Sequence, residues 1–312
     1  MRNYLTIDGG TTNTRVSLVI DNHVIATEKI HLGSKDCIDG NDCLKQELHT
    51  KIGNLLSSNH LTEQDITAVL ASGMITCEYG LCEVPHLIVP AGIKELHQGI
   101  QERLIPEVIN KPIRFVPGVK IMGGTPEYTD MMRGEETELV GLLAEDAGSF
   151  AYVLPGSHSK MIFLDDSGRI TDFKTMMTGE MIAALSQNTI LREAVDLSID
   201  KHDPEFLLAG YDYCMEHGIN EALFKVRILK NIFKETAVAC YSYFLGIILA
   251  NEIAVLKKSG KAGVVLGGRS QIKNAMVDIL KARTELKVIT IPDEDAASCV
   301  SLGAIKIFEF TA

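Results

Sequence analysis

Two stretches of this chain set glycine beside hydroxyl residues at the bend between apolar runs, a combination suited to binding phosphate. Tyr4–Ile30 enters on an apolar run, passes through Gly9-Gly10-Thr11-Thr12, runs apolar again, turns at Asp21-Asn22-His23 and returns as a third run. Tyr152–Lys174 repeats the plan, with Gly156-Ser157 after its first run and a turn at Asp165–Gly168. Each reads as a β-hairpin. Glycine permits close backbone approach and positive φ, while exposed N–H groups and hydroxyls donate to phosphate oxygens without adding charge. One such loop is compatible with a plain hairpin connection. Two of one design predict two related halves that hold a nucleotide's phosphates from both sides.

A second chemistry is written in Met132–Leu143, MRGEETELVGLL. Leu139, Val140, Leu142 and Leu143 mark one apolar face of a helix, with Glu135 and Glu136 in its first turn, where the helix dipole favours carboxylates. On a helical wheel these two lie near the apolar side and Glu138 points away. A partly desolvated carboxylate at such a place suits a general base, though helix-start decoration explains the same residues. Arg133 either pairs with them or faces an acidic substrate. Two further small-residue turns follow strands: Ala71–Thr76, containing Gly73 and Met74, and Gly267-Gly268-Arg269-Ser270, where glycine lets a flat base approach the backbone.

The elements that must position these groups alternate between strand and helix. Strands are expected at Ile66–Leu70, Gly263–Leu266 and Lys287–Pro292, and helices at Cys37–Ser58, Thr236–Lys258 and Ala296–Phe310. Gly141 and Gly303 each sit within a helix, which signals tight helix crossing and costs about 1 kcal/mol against alanine. At 312 residues and 34.1 kDa the chain can build two cored domains. A net charge of -11 argues against non-specific nucleic-acid binding. The apolar run within Tyr241–Ala250 is too short for a bilayer, and no signal peptide is visible, so no membrane role is expected. Seven cysteines without a CxxC pair read as reduced thiols of a cytoplasmic protein.

Taken together, these parts resemble the actin/Hsp70/sugar-kinase superfamily. Asp8–Arg15 (DGGTTNTR) looks like its first phosphate motif, Leu154–Lys160 (LPGSHSK) like its second, Val264–Ser270 (VVLGGRS) like its adenosine motif, and Gly134–Leu143 with Ala296–Ile307 like its linking helices. MRGEETEL, PGSHSK, DFKTMMTGE and the segment around Gly73-Met74 are together similar to the 2-dehydro-3-deoxygalactonokinase family. The resemblance implies an α/β, two-domain actin-like ATPase (ribonuclease H-like) fold with a cleft between domains. Residues 1–145, completed by 296–312, would form the N-terminal domain and 146–295 the C-terminal domain.

It also implies MgATP-dependent phosphorylation of the C6 hydroxyl of 2-dehydro-3-deoxy-D-galactonate. Asp8 would hold Mg2+ through water. Gly9, Gly10, Thr11, Thr12, Gly156, Ser157, Lys160, Gly267 and Gly268 would bind ATP. Glu135, or Glu136 as the close alternative, would be the base, and Asn13, Arg15, Gly73, Met74 and Arg133 would meet the sugar acid. Lys160 is an alternative holder of the substrate carboxylate. Ser157 replaces an expected threonine, and Gly9 stands where the family commonly has an aromatic residue. A related sugar acid such as 2-dehydro-3-deoxygluconate, and a non-catalytic ATP-binding regulator on the same fold, are the competing readings. A homodimer is left open.

Overall fold

A computed structural model of the chain describes residues 2–143, 147–268 and 271–311. The chain divides into two compact units. Unit 1 comprises residues 1–147, 165–172 and 294–312, and unit 2 comprises 148–164 and 173–293. Residues 144–146, where the domain boundary is expected, lie outside the described residues.

Unit 1 opens with the strands β1 (Asn3–Gly9), β2 (Thr14–Ile20) and β3 (His23–Ile30), then helix α1 (Asp42–Ser58) and strand β4 (Ala68–Gly73). A two-residue strand β5 (Leu87–Ile88), helix α2 (Ile93–Gln98), and strands β6 (Gln101–Ile105), β7 (Ile109–Phe115), β8 (Val119–Ile121) and β9 (Asp130–Met132) lead to helix α3 (Glu135–Leu142). The main sheet runs β3-β2-β1-β4-β7-β6, and β5-β8-β9 form a small second sheet. β1 is antiparallel to β2 and parallel to β4, with Asp8 beside Ser72 and Gly9 beside Gly73.

In the other unit, β10 (Phe150–Leu154), β11 (Ser159–Leu164) and β12 (Ile170–Met176) precede the helices α4 (Thr178–Asn188), α5 (Pro204–His217), α6 (Ile219–Ile228) and α7 (Ala237–Lys257). Then come β13 (Gly263–Leu266), α8 (Gln271–Arg283) and β14 (Lys287–Thr290), and α9 (Asp293–Phe308), which belongs to unit 1 from residue 294, closes the chain. The sheet order β12-β11-β10-β13-β14 repeats the β3-β2-β1-β4-β7 order of unit 1. An antiparallel three-strand meander extended by parallel strands, used twice, is the duplicated arrangement of the actin-like ATPase fold.

Burial explains why the strands read as they do. One face of the first sheet packs Leu5, Ile7, Val16 and Leu18 with Leu44, Leu48 and Ile52 of α1. The other face packs Tyr4, Val19 and Leu70 with Ala304 and Ile305 of α9. A sheet covered on both sides gives near-continuous apolar runs. The core of unit 2 is built around α7, which is apolar all round. This helix has the length and hydropathy of a bilayer span, yet 78% of its apolar window is buried inside the fold. Such burial marks a core helix.

α3 and α9 cross where the sequence has glycine. A Cβ on Gly303 would stand 1.9 Å from Thr137 O, and one on Gly141 would stand 2.1 Å from Cys299 O. No side chain fits there. Gly303→Ala is therefore expected to destabilise unit 1 by roughly 1–3 kcal/mol or more in urea unfolding. Gly53→Ala, in α1 with nothing within 4 Å of the added carbon, should instead gain up to about 1 kcal/mol. Equal effects of the two changes would contradict the crossing.

Candidate active site

The first glycine-hydroxyl loop follows β1. Gly10 N donates to Asn13 O at 2.8 Å, closing the turn, while Thr11 and Thr12 are exposed and Asn13 Nδ2 donates to Thr12 Oγ1 at 2.8 Å. Asp8, next to last in the strand, accepts from Arg15 Nη1 of β2 at 3.1 Å. Its carboxyl is pushed above the ordinary value by burial, which the Arg15 guanidinium opposes. At the end of β4, Gly73 has φ +80°, and a Cβ there would lie 2.3 Å from Gly9 O. The half-buried Met74 heads the turn that follows, whose Ile75 and Thr76 are buried. Gly134, at φ +112°, precedes α3, and a Cβ on it would reach within 3.1 Å of Gly73 Cα. Positive φ without a side chain lets the ends of β1 and β4 and the start of α3 meet backbone to backbone.

That junction brings carboxylates together. Glu138 does not point away, as the wheel suggests. Its carboxyl is pushed up to about 7 by burial, then by the negative charges of Asp8 and Glu135. The wheel treats the side opposite Leu139 and Val140 as solvent, but Glu138 is half-buried there, within reach of the Asp8 charge and of Cys299 in α9. Glu135 and Glu138 are three residues apart and so share a face, the signal that could have found Glu138.

Glu136 has another task. It is fully buried; both its oxygens accept from Gly134 N at 2.9 Å and Oε1 also accepts from Thr137 Oγ1 at 3.0 Å. This carboxyl closes the helix start. Burial and the neighbouring Glu135 raise it to about 8, against those hydrogen bonds. Glu135 is half-buried, and its Oε2 accepts from Arg133 N at 3.0 Å.

Arg133 is not offered to a ligand in this arrangement. Nη1 donates to Thr76 O at 2.7 Å and to the Thr76 hydroxyl, while Nη2 donates to Val84 O at 3.0 Å and to His86 Nδ1 at 3.1 Å. The guanidinium straps the 74–86 segment to the start of α3. Because a guanidinium cannot accept, His86 Nδ1 must be the bare nitrogen. Burial, then Arg133 and Lys120, hold this imidazole down at about 4, so it stays neutral.

In unit 2 the second loop follows β10, with Gly156 and Ser157 exposed. Its carbonyls are tied down: Gly179 N donates to Gly156 O at 3.2 Å and Ser157 O at 3.1 Å. His158 Nε2 meets Glu180 Oε1 at 3.0 Å. The parallel pairing of β10 with β13 places Gly267 beside the loop, Gly267 N donating to Val153 O at 2.9 Å. A Cβ on Gly268 would lie 3.3 Å from Pro155 O. Lys160 behaves unlike the expected phosphate or carboxylate ligand. It is buried, and its Nζ donates to Thr175 Oγ1 of β12 at 2.9 Å. Arg269 and Ser270 of the expected adenosine motif lie outside the described residues.

The fold therefore gathers Asp8, Gly9, Arg15, Gly73 and Glu135 with the unexpected Glu138 in unit 1, and Gly156, Ser157, Gly267 and Gly268 in unit 2. Glu136, Arg133 and Lys160 are committed to internal bonds. A carboxylate cluster beside a loop with exposed hydroxyls can accept a proton and hold a cation. The second loop presents neutral donors.

The chain is similar to known proteins in sequence and in fold. The sequence profile of the 2-keto-3-deoxy-galactonokinase family matches residues 8–305. A Rhizobium meliloti protein named probable 2-dehydro-3-deoxygalactonokinase is 30% identical over 196 residues, 62% of this chain, and the match spans 59% of that relative's length. An Escherichia coli 2-dehydro-3-deoxygalactonokinase is 26% identical over 261 residues, covering 81% of this chain and 80% of the relative. The solved structure of a Sinorhizobium meliloti protein assigned as a 2-dehydro-3-deoxygalactonokinase has a TM-score of 0.80 at 25% identity and covers 98% of this chain and 100% of its own.

The buried Glu136 carboxyl sets a pH dependence. Its folded value of about 8 lies above the ordinary value of about 4.3. The native state thus keeps a proton that the unfolded chain releases, so its stability contribution is full below about 4.3 and is lost as pH rises through about 8. Glu136→Gln should flatten the fall in unfolding free energy between about pH 7 and 8. An unchanged slope in the variant would show that Glu136 is not the group responsible.

Proposed function

Because the chain belongs to the 2-keto-3-deoxy-galactonokinase family, we propose that it transfers the γ-phosphoryl group of ATP to the C6 hydroxyl of 2-dehydro-3-deoxy-D-galactonate, a step of galactonate breakdown. The observation that carries the residue assignments is the junction at which Asp8, Glu135 and Glu138 meet beside the Gly9–Thr12 loop.

Glu135 is the base. Its own backbone neighbour Arg133 N orients the carboxylate, which receives the C6 hydroxyl proton as that oxygen bonds to the γ-phosphorus and the bond to the β-phosphate oxygen breaks. Thr11, Thr12 and Ser157 contact the β- and γ-phosphates, aided by backbone N–H groups of Gly9, Gly10 and Gly156, and Gly267 with Gly268 form the adenosine shelf. Phosphoryl transfer asks chiefly for such positioning and charge stabilisation.

The donor set suits Mg2+. Among the described residues no three His, Cys, Asp or Glu side chains form a metal cluster, so a cage made wholly of protein ligands is not built here. Mg2+ characteristically takes one or two carboxylates and completes its shell with water and phosphate oxygens. Asp8 would hold it, with Glu138 as the nearby second carboxylate; burial first, and then the Asp8 and Glu135 charges, push Glu138 up, and a divalent ion would relieve the repulsion between them. Its chemistry there would be neutralisation of phosphate charge. With Arg133 and Lys160 bonded internally, the sugar-acid contacts are assigned to Asn13, Arg15, Gly73 and Met74; the exposed guanidinium of Arg15 is the cation among them.

Glu135→Gln is expected to lower kcat with MgATP and 2-dehydro-3-deoxy-D-galactonate by about 10²–10⁴-fold while ATP still binds. Glu136→Gln should act mainly on stability. If Glu135→Gln turns over normally, the base is misassigned. If the wild type instead phosphorylates only the gluconate epimer, the substrate is.

A further inference from the structure

α7 is a core helix of 21 residues, and its one buried charged-type side chain is Glu252, 2% exposed. Nothing in the proposed reaction uses it. Its position is nevertheless specific. Oε1 accepts from the Thr178 hydroxyl, and the Ser159 hydroxyl also hydrogen-bonds the carboxyl. Oε2 is buried with no partner among the described residues. Thr178 and Ser159 are themselves buried.

Both hydroxyls lead directly to the second phosphate loop. Ser159 Oγ accepts a long hydrogen bond from Gly156 N at 3.4 Å. Thr178 opens α4 and is followed by Gly179, whose N–H holds the Gly156 and Ser157 carbonyls. The contact is backbone to backbone, since a Cβ on Gly179 would lie 2.7 Å from Gly156 O and 2.8 Å from Ser157 Cα. Glu252 is thus the floor on which both ends of the loop rest.

The protonation state of that floor matters to an anion above it. An ionised carboxylate with an unpartnered buried oxygen carries a large desolvation cost, and a neutral acid a much smaller one. It would also repel a phosphate arriving at the loop. Burial pushes Glu252 up to about 7, although the Thr178 and Ser159 hydrogen bonds favour the ionised form. No charged neighbour is among the causes. On the adjoining elements, Lys160 of β11 bonds Thr175, Glu180 of α4 bonds His158 just before β11, and α7 itself carries no nearer charge.

We propose that Glu252 is a positioning residue which holds the Gly156-Ser157 loop in its phosphate-receiving form as a neutral acid, and that phosphate binding at this loop draws one proton onto it from solvent. This rests on the reading of the loop as an ATP phosphate site. The proton is the only species exchanged, and no bond of ATP changes in the binding step.

The test is ATP affinity from pH 6 to 9 by calorimetry, in buffers of differing ionisation enthalpy, with adenosine as the phosphate-free control. The wild type should lose up to about tenfold in ATP affinity per pH unit above neutrality and take up a proton, with adenosine unaffected in both respects. Glu252→Gln, which cannot ionise, should lose the slope and the proton uptake. Thr178→Val removes a hydrogen bond that favours the ionised form, so it should move the onset of the slope to higher pH, and this serves if the Gln variant folds poorly. A slope and proton uptake that persist in Glu252→Gln, or a Thr178→Val onset that moves down or stays, would overturn the role of Glu252. Failure of the wild type to bind ATP at any pH would overturn the site reading instead.

Discussion

The crowding of negative charge at the end of β1 constrains much of unit 1. Asp8, Glu135, Glu136 and Glu138 converge within the first turn of one helix and the tip of one strand, a placement that costs desolvation for each and repulsion between them. The surroundings answer group by group. Arg15 offsets Asp8, Gly134 N and the Thr137 hydroxyl hold Glu136, and Arg133 N anchors Glu135. The helix start adds its own positive end. Among the described residues Glu138 is eased only by the Arg15 charge, and carboxylates left in mutual repulsion are poised to take up a proton or a cation.

The junction can exist only because the backbone closes tightly around it. Gly73 and Gly134 sit at positive φ, Gly73 with no room for a side chain and Gly134 with little, so the strand ends and the helix start approach within main-chain contact. Farther along α3, Gly141 and Gly303 let α9 lie against it. The glycines nearest the carboxylates and those at the helix crossing therefore do one job in sequence. They fix where α3 begins and how it is held, and thereby where Glu135 and Glu138 point.

Unit 2 solves a related problem differently. Its loop offers neutral donors in place of carboxylates, and it is stiffened from beneath by hydroxyls that converge on one buried acid. Lys160 illustrates the contrast. In the linear motif it stands three residues after Ser157 as though reaching for phosphate, but strand alternation turns it inward, and its ammonium donates to Thr175 on the next strand.

What could be read from the linear chain was whatever depends on local pattern. The two hairpins, the strands before the Gly-Gly pairs, α7, α9 and the glycines of the helix crossing all follow from periodicity and turn chemistry, which act over a few residues. β6, β8 and β9 did not announce themselves, because short or half-exposed strands carry little pattern of their own. The candidate site was legible as residue types: hydroxyls beside glycine, glutamates at a helix start. Which glutamate faces Asp8, which one is spent on Gly134, and where Arg133 and Lys160 direct their charge were not. Those depend on what covers each face of an element, and the covering groups come from strands and loops distant in the chain. Glu252 lies between the two cases. A lone acid in a long apolar helix is visible in the sequence, but its place beneath the phosphate loop is set by the packing of α7 against Thr178 and Ser159, which only the tertiary structure decides.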